Sequence, residues 1–102
     1  MWANDAVWHV SEEMAFRGRD EIAVAIAKQW ESTRQAHHWT SNPAMTVDGD
    51  SATARFDVHT EVQLLDSSWI WIAGGYEDRY VKRDGQWCML SRQARVLSQR
   101  AG

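Results

Sequence analysis

The chain has 102 residues, of which 44% are hydrophobic and a quarter are charged, with six Gly and a single Pro, a composition suited to one globular core rather than to a repeat or a disordered chain. A formal net charge of −3 argues against nucleic acid and anionic membrane surfaces as partners, because both call for a basic face. Roughly 60 to 65% of the unfolded surface can be buried at this length, so the fold needs neither disulfide nor metal to hold it.

The lone Cys88 cannot form an internal bridge and points to an intracellular, cytoplasmic setting. The longest apolar runs, such as Trp69 to Ala73, fall far short of the ~20 residues of a membrane-spanning helix. The opening segment carries acid before base and lacks the long apolar stretch of a secretory signal. Seven Trp in so short a chain indicate a wide core or an aromatic-lined pocket.

Taken in order, Ala6 to Val10 reads as a short strand after a turn at Asn4-Asp5, and Ser11 to Arg17 as a connection. From Asp20 the apolar residues Ile22, Ile26 and Trp30 recur every four positions, with Lys28, Glu31 and Arg34 opposite, which predicts an amphipathic helix over about 20–34 capped at Gly18 or Arg19. After Arg34 the period changes to two. Strands are expected over His38–Val47, Ala52–Leu65, Ser68–Lys82 and Gln86–Leu97, joined by turns at Asp48-Gly49-Asp50, Leu65-Asp66-Ser67 and Asp84-Gly85. Pro43 removes a ladder donor and so marks an edge or a bulge.

These elements predict an α+β fold in which a strongly curved antiparallel sheet wraps around one helix, with Ile22, Ile26, Trp30, Phe56 and Val58 in a common core. One helix leaves apolar sheet uncovered, so a homodimer or larger homo-oligomer is expected.

Four segments, DAVWHV, FRGRDEI, HHWTSNPAMTVDGDSATA and GGYEDRYVKRDGQWCML, stand in an order that resembles the SnoaL-like domains of the nuclear-transport-factor-two-like superfamily, which includes scytalone dehydratase, polyketide cyclases and ketosteroid isomerase relatives. The resemblance covers most of the chain, and residues 1–102 are expected to form one such domain. It implies a cone-shaped cystatin-like roll around an apolar pocket, usually dimerising through the outer face of the sheet. Members similar to this sequence begin with one or two further helices before DAVW, so the resemblance implies an N-terminally shortened version, without the front-helix Asp or Tyr that works with a strand His in such dehydratases.

His38 lies where the similar dehydratases place a pocket-facing His, four residues before Asn42-Pro43, and a neutral imidazole suits proton transfer in both directions. It is either that catalytic group or an inert, hydrogen-bonded sheet histidine; His37 points to the other face. His59 has the parity of Arg55, Asp57 and Glu61, a surface pattern, yet the resemblance implies a second catalytic His or Asp nearby, so His59 and Asp57 are retained as partners. Asp78 is flanked on its own face by Tyr76 and Tyr80. It is either an acid/base with a raised pKa or a structural carboxylate paired with Arg92.

Trp30, Trp39, Asn42, Phe56, Trp71 and Tyr76 are the candidate ligand-binding residues, and the ligand they suit is small and apolar or aromatic. Core or interface packing is the competing role for the Trp residues, and Trp71 with Trp69 could belong to a dimer face. No H-x-H, C-x-x-C or H-E-x-x-H spacing appears, so no metal is expected, and no phosphate-binding Gly-rich loop or cofactor motif is present. Two functions stay open: a cofactor-independent lyase or isomerase using His38, and a non-catalytic binding or dimerisation domain with the same pocket.

Overall fold

Turn chemistry sets the sheet. Asp84 and Gly85 both take positive φ, 51° and 77°, the mirror-image turn whose twist matches that of the strands it joins. Gly49 has φ 59° in the other Asp-Gly turn. At the middle turn Ser67 has φ 73°, and the Asp66 carboxylate accepts from the Ser68 amide at 3.0 Å and from its hydroxyl at 2.6 Å.

The computed structural model describes residues 1–101. Its elements are β1 (Trp2–His9), β2 (Ala15–Arg17), α1 (Arg19–Glu31), β3 (Thr33–Asp48), β4 (Ser51–Leu64), β5 (Trp69–Arg83) and β6 (Gln86–Ala101). β4 and β5 match the expected bounds to within one residue, whereas β3 starts at Thr33 rather than His38 and β6 runs on to Ala101 rather than stopping at Leu97. The helix stops at Glu31 rather than near Arg34, because the chain turns directly into β3: Ser32 Oγ and Thr33 Oγ1 both donate to the Gln29 carbonyl. Its N-cap is Gly18, with φ 86°. Part of the expected connection, Ala15–Arg17, forms β2, an antiparallel partner of β1.

The strand order is β2-β1-β6-β5-β4-β3. β3 to β6 form an antiparallel meander, as the hairpin turns predict. The expectation of a wholly antiparallel sheet is corrected at β1, which starts earlier than expected and joins β6 in parallel, so the sheet is mixed. The α1 connection carries the chain over the sheet and lets β1 and β6 run the same way, as parallel strands require.

The backbone of helix α1 runs close to β1 and β2 near one edge of the sheet and to β3 at the other. A six-stranded sheet can meet one helix at both ends only by curling around it. The tight core lies at the β1 side, where Ala3, Ala6 and Ile22 are buried and Trp2, Trp8, Phe16, Ile26, Cys88 and Leu90 pack against them. The Gly18 amide donates to the Ala6 carbonyl at 2.7 Å, and Arg19 donates to the Trp2 carbonyl at 2.7 Å, fixing the helix start on β1. Trp30 is 69% exposed and Phe56 lies outside this cluster, so the expected common core is corrected to one built mainly from β1, α1 and β6. Small residues at the contact, Ala3 and Ala6, let the helix seat closely on β1.

Candidate functional site

Between the far end of α1 and the uncovered strands lies a cavity of about 550 Å³. Alternation decides its lining. The β4–β5 pairing has no register shift, so Val58, Thr60 and Val62 face inward with their partners Gly74, Ile72 and Ile70. Trp8 and Ile26 close the side toward the core, and Trp30 stands at the rim. Gly74 is required by close approach: a Cβ there would collide with the backbone carbonyl of Arg95 at the β6 bulge.

Two polar centres stand out on the mostly apolar walls, which also carry Gln29, Ser32, Thr33 and Arg95. On β3, His38 lies directly opposite Thr60 of β4, and both line the cavity. The imidazole of His38 makes no hydrogen bond with any described residue. On the opposite wall, the guanidinium of Arg92 sits 4.2 Å from the ring centre of Tyr76, and both residues border the cavity.

Arg92 is held from behind. Its Nε and Nη2 each donate to Asp78 at 2.8 Å, and the Tyr80 hydroxyl donates to the same carboxylate at 2.8 Å. The Asp78 side chain is fully buried, while a quarter of the Arg92 side chain remains accessible. Burial disfavours the Arg92 charge, but hydrogen bonds to Asp78 and its negative charge outweigh that and hold the pKa above the usual arginine value. Burial raises the Tyr76 and Tyr80 phenols; the Asp78 carboxylate adds to the rise and the Arg92 charge opposes it, more strongly than Asp78 at Tyr76. The network thus presents a permanently charged donor, fixed in orientation, to an apolar space.

Of the candidate residues, the structure brings His38, Trp30 and Tyr76 to the cavity. Asp78 lies beneath Arg92 and takes the structural pairing foreseen as its alternative, with its lone pairs committed to Arg92 and Tyr80 rather than to a ligand. His59, Trp39 and Trp71 lie on the outer face. Trp39 stacks between His37 at 6.0 Å and His59 at 5.6 Å, His59 pairs with Glu61 at 3.7 Å, and Trp71 lies under Arg100 at 5.7 Å. Asn42 occupies the bulge between Ser41 and Ala44 with φ 51°, donating to Asp57 at 2.7 Å, so the irregularity marked by Pro43 is real but turns Asn42 away from the cavity. Asp57 is committed to that contact. Phe56 is half-buried on the inner face beside Tyr76, one step beyond the lining.

Sequence reasoning treated Arg92 only as a partner for Asp78 and passed over Trp8 and Thr60. The signal for Arg92 was present: it interrupts the otherwise apolar series Cys88, Leu90, Ala94, Val96. Among the described residues no cluster of three His, Cys, Asp or Glu could hold a metal. No helix among them is long and apolar enough to cross a membrane.

Residues 1–93 match the sequence profile of the SnoaL-like domain. No curated protein matches the sequence significantly. Solved structures do. A type 2 hexachlorocyclohexane dehydrochlorinase, LinA, superposes with a TM-score of 0.89 at 22% identity, over 100% of this chain and 71% of that one. A second LinA structure gives 0.85 at 25% identity, over 96% and 69%. A Novosphingobium aromaticivorans protein provisionally described as a scytalone dehydratase gives 0.88 at 23% identity, over 97% and 68%.

Proposed function

The chain belongs to the SnoaL-like domain family, and on that premise we propose that it binds a small, largely apolar or aromatic molecule in the cone and moves a proton on it through His38 without a cofactor. The observation that carries this reading is the uncommitted, solvent-accessible imidazole of His38 on the wall of a mostly apolar, open-sided cavity that also holds the fixed guanidinium of Arg92.

An elimination needs a base at a C–H bond and a donor at the departing group. His38 takes the proton from carbon, the C–H electron pair becomes the new double bond, and the leaving group departs with its bonding pair. Arg92 offers its remaining N–H bonds to the oxygen or halogen on which charge builds, in a space where such contacts are strengthened by low dielectric. In a dehydration the imidazolium returns its proton to the leaving hydroxyl. The names dehydrochlorinase and dehydratase, carried by neighbours of the same fold, both denote eliminations and support this class of reaction.

A second reading has its own support. No described carboxylate bonds to His38 to hold its tautomer, which suits a binding domain without catalysis. The aromatic residues of the outer face, the exposed Trp39 and the half-buried Trp71 among them, suit a second copy of the chain, and a homodimer or larger homo-oligomer is part of the proposal.

The test is turnover of a panel of hydroxylated cyclic ketones by the wild type and by His38→Ala. A loss of about a hundredfold or more on substitution is expected for a positioned acid–base group. Saturable binding without turnover assigns the chain to the non-catalytic reading, and absence of both binding and turnover overturns the proposal.

A further inference from the structure

The Arg92 guanidinium that faces the cavity carries its counter-charge with it. Asp78 is bonded through both oxygens, with Nε and Nη2 donating at 2.8 Å each, and its carboxylate is fully buried and does not line the cavity. Seen from inside the cavity, the pair is a neutral unit that still presents N–H donors. The other charged residue bordering the cavity, Arg95, is half exposed to solvent, which screens its charge, and lies 3.8 Å from Glu77, a carboxylate it shares with Arg55. The remaining walls are apolar or uncharged apart from His38.

We infer that Asp78 makes the cavity select uncharged ligands bearing a carbonyl or hydroxyl oxygen over ligands bearing a carboxylate. This rests on the cavity being the ligand site. A neutral oxygen loses little hydration on entering and gains a charge-assisted hydrogen bond from Arg92. A carboxylate must shed a full charge's hydration into an apolar space, and the attraction of Arg92 is largely cancelled by Asp78 behind it. Asp78 is therefore a specificity-determining residue acting through Arg92, not a catalytic one.

The experiment is calorimetric binding, at about pH 8, where an ordinary imidazole is uncharged, of a matched pair of probes: methyl naphthyl ketone and naphthoate, which share one ring system and differ in charge. The wild type is expected to bind the ketone at least about tenfold more tightly. Asp78→Asn removes the counter-charge and should narrow or reverse that ratio, whereas Asp78→Glu, which keeps the charge, should preserve the preference. The ratio separates this role from a structural one, because a loosened cavity weakens both probes alike. Should Asp78→Asn lose its near-ultraviolet dichroism, the wild-type ratio decides, since it needs no variant. Equal or tighter binding of naphthoate by the wild type, or an unchanged ratio in a folded Asp78→Asn, overturns the inference alone. Binding of neither probe removes the ligand site itself.

Discussion

Asp78 and Arg92 face each other directly across the β5–β6 pair and close a two-point contact, Oδ1 with Nε and Oδ2 with Nη2, at the edge of the cavity that Arg92 lines. The same carboxylate anchors Tyr80, and Arg92 in turn covers Tyr76, so a single buried charge organises three strand residues around it.

The pair should behave as a coupled unit in stability measurements. Removing one partner of a buried ion pair leaves the other charge uncompensated and costs about 3–5 kcal/mol. Arg92 keeps a quarter of its side chain in contact with solvent, so Asp78→Ala is expected at the lower end of that range, near ~3 kcal/mol, by urea unfolding. Replacing both residues by Leu should cost much less than the two single substitutions together, leaving a coupling of about 2 kcal/mol. Additive single and double substitutions would show that the contact is incidental.

Alkaline pH should weaken the fold through the two tyrosines of this network. Both tyrosines have pKa values raised chiefly by burial; at Tyr76 the Arg92 charge opposes the rise and the Asp78 charge adds to it, while at Tyr80 the hydrogen bond to Asp78 and then its charge add to the rise, against Arg92. A group whose folded pKa lies above its unfolded value contributes stability that is complete below the unfolded value, about 10 for tyrosine, and is lost as pH rises through the folded one. The urea midpoint is therefore expected to be flat in the alkaline range up to about pH 10 and to fall beyond it. Tyr80→Phe should flatten that fall while costing about 1 kcal/mol near neutrality for the lost hydrogen bond. A fall of the same steepness in Tyr80→Phe would remove Tyr80 from the account.

How much of this was legible in the sequence follows from which features are local. The change of period after Arg34 and the Asp-Gly turns specify a meander because each hairpin is decided by residues adjacent in sequence. Parity alone puts His38 inward and, by the same rule, its neighbour Trp39 outward, so the candidacy of Trp39 for the pocket conflicted with that of His38 from the start. Trp71 likewise alternates with Ile72, which lines the cavity. Parallel pairing of β1 with β6 leaves no turn between the two strands to read. The extent of the cavity was also hidden: Phe56 has the inward parity, but where the helix stops covering the sheet depends on how Ala3 and Ala6 seat it, a packing matter with no period of its own.

The outer face of the sheet should govern self-association. Trp39 is 51% exposed with an imidazole on either side, and Trp71 stands two strands away under Arg100. Exposed aromatic surface of this kind is favoured where copies meet, because it buries a large apolar area with little loss of side-chain freedom. An isologous contact places each such residue near its own copy, so a charge introduced there acts twice. Sedimentation at micromolar concentration is expected to give twice the chain mass for the wild type. Trp39→Glu combined with Trp71→Glu should yield the monomer, while Trp30→Glu, at the cavity rim, should leave the mass unchanged. A wild type that sediments as a monomer, or a Trp30→Glu that dissociates as readily as the outer-face variant, would move the contact away from this face.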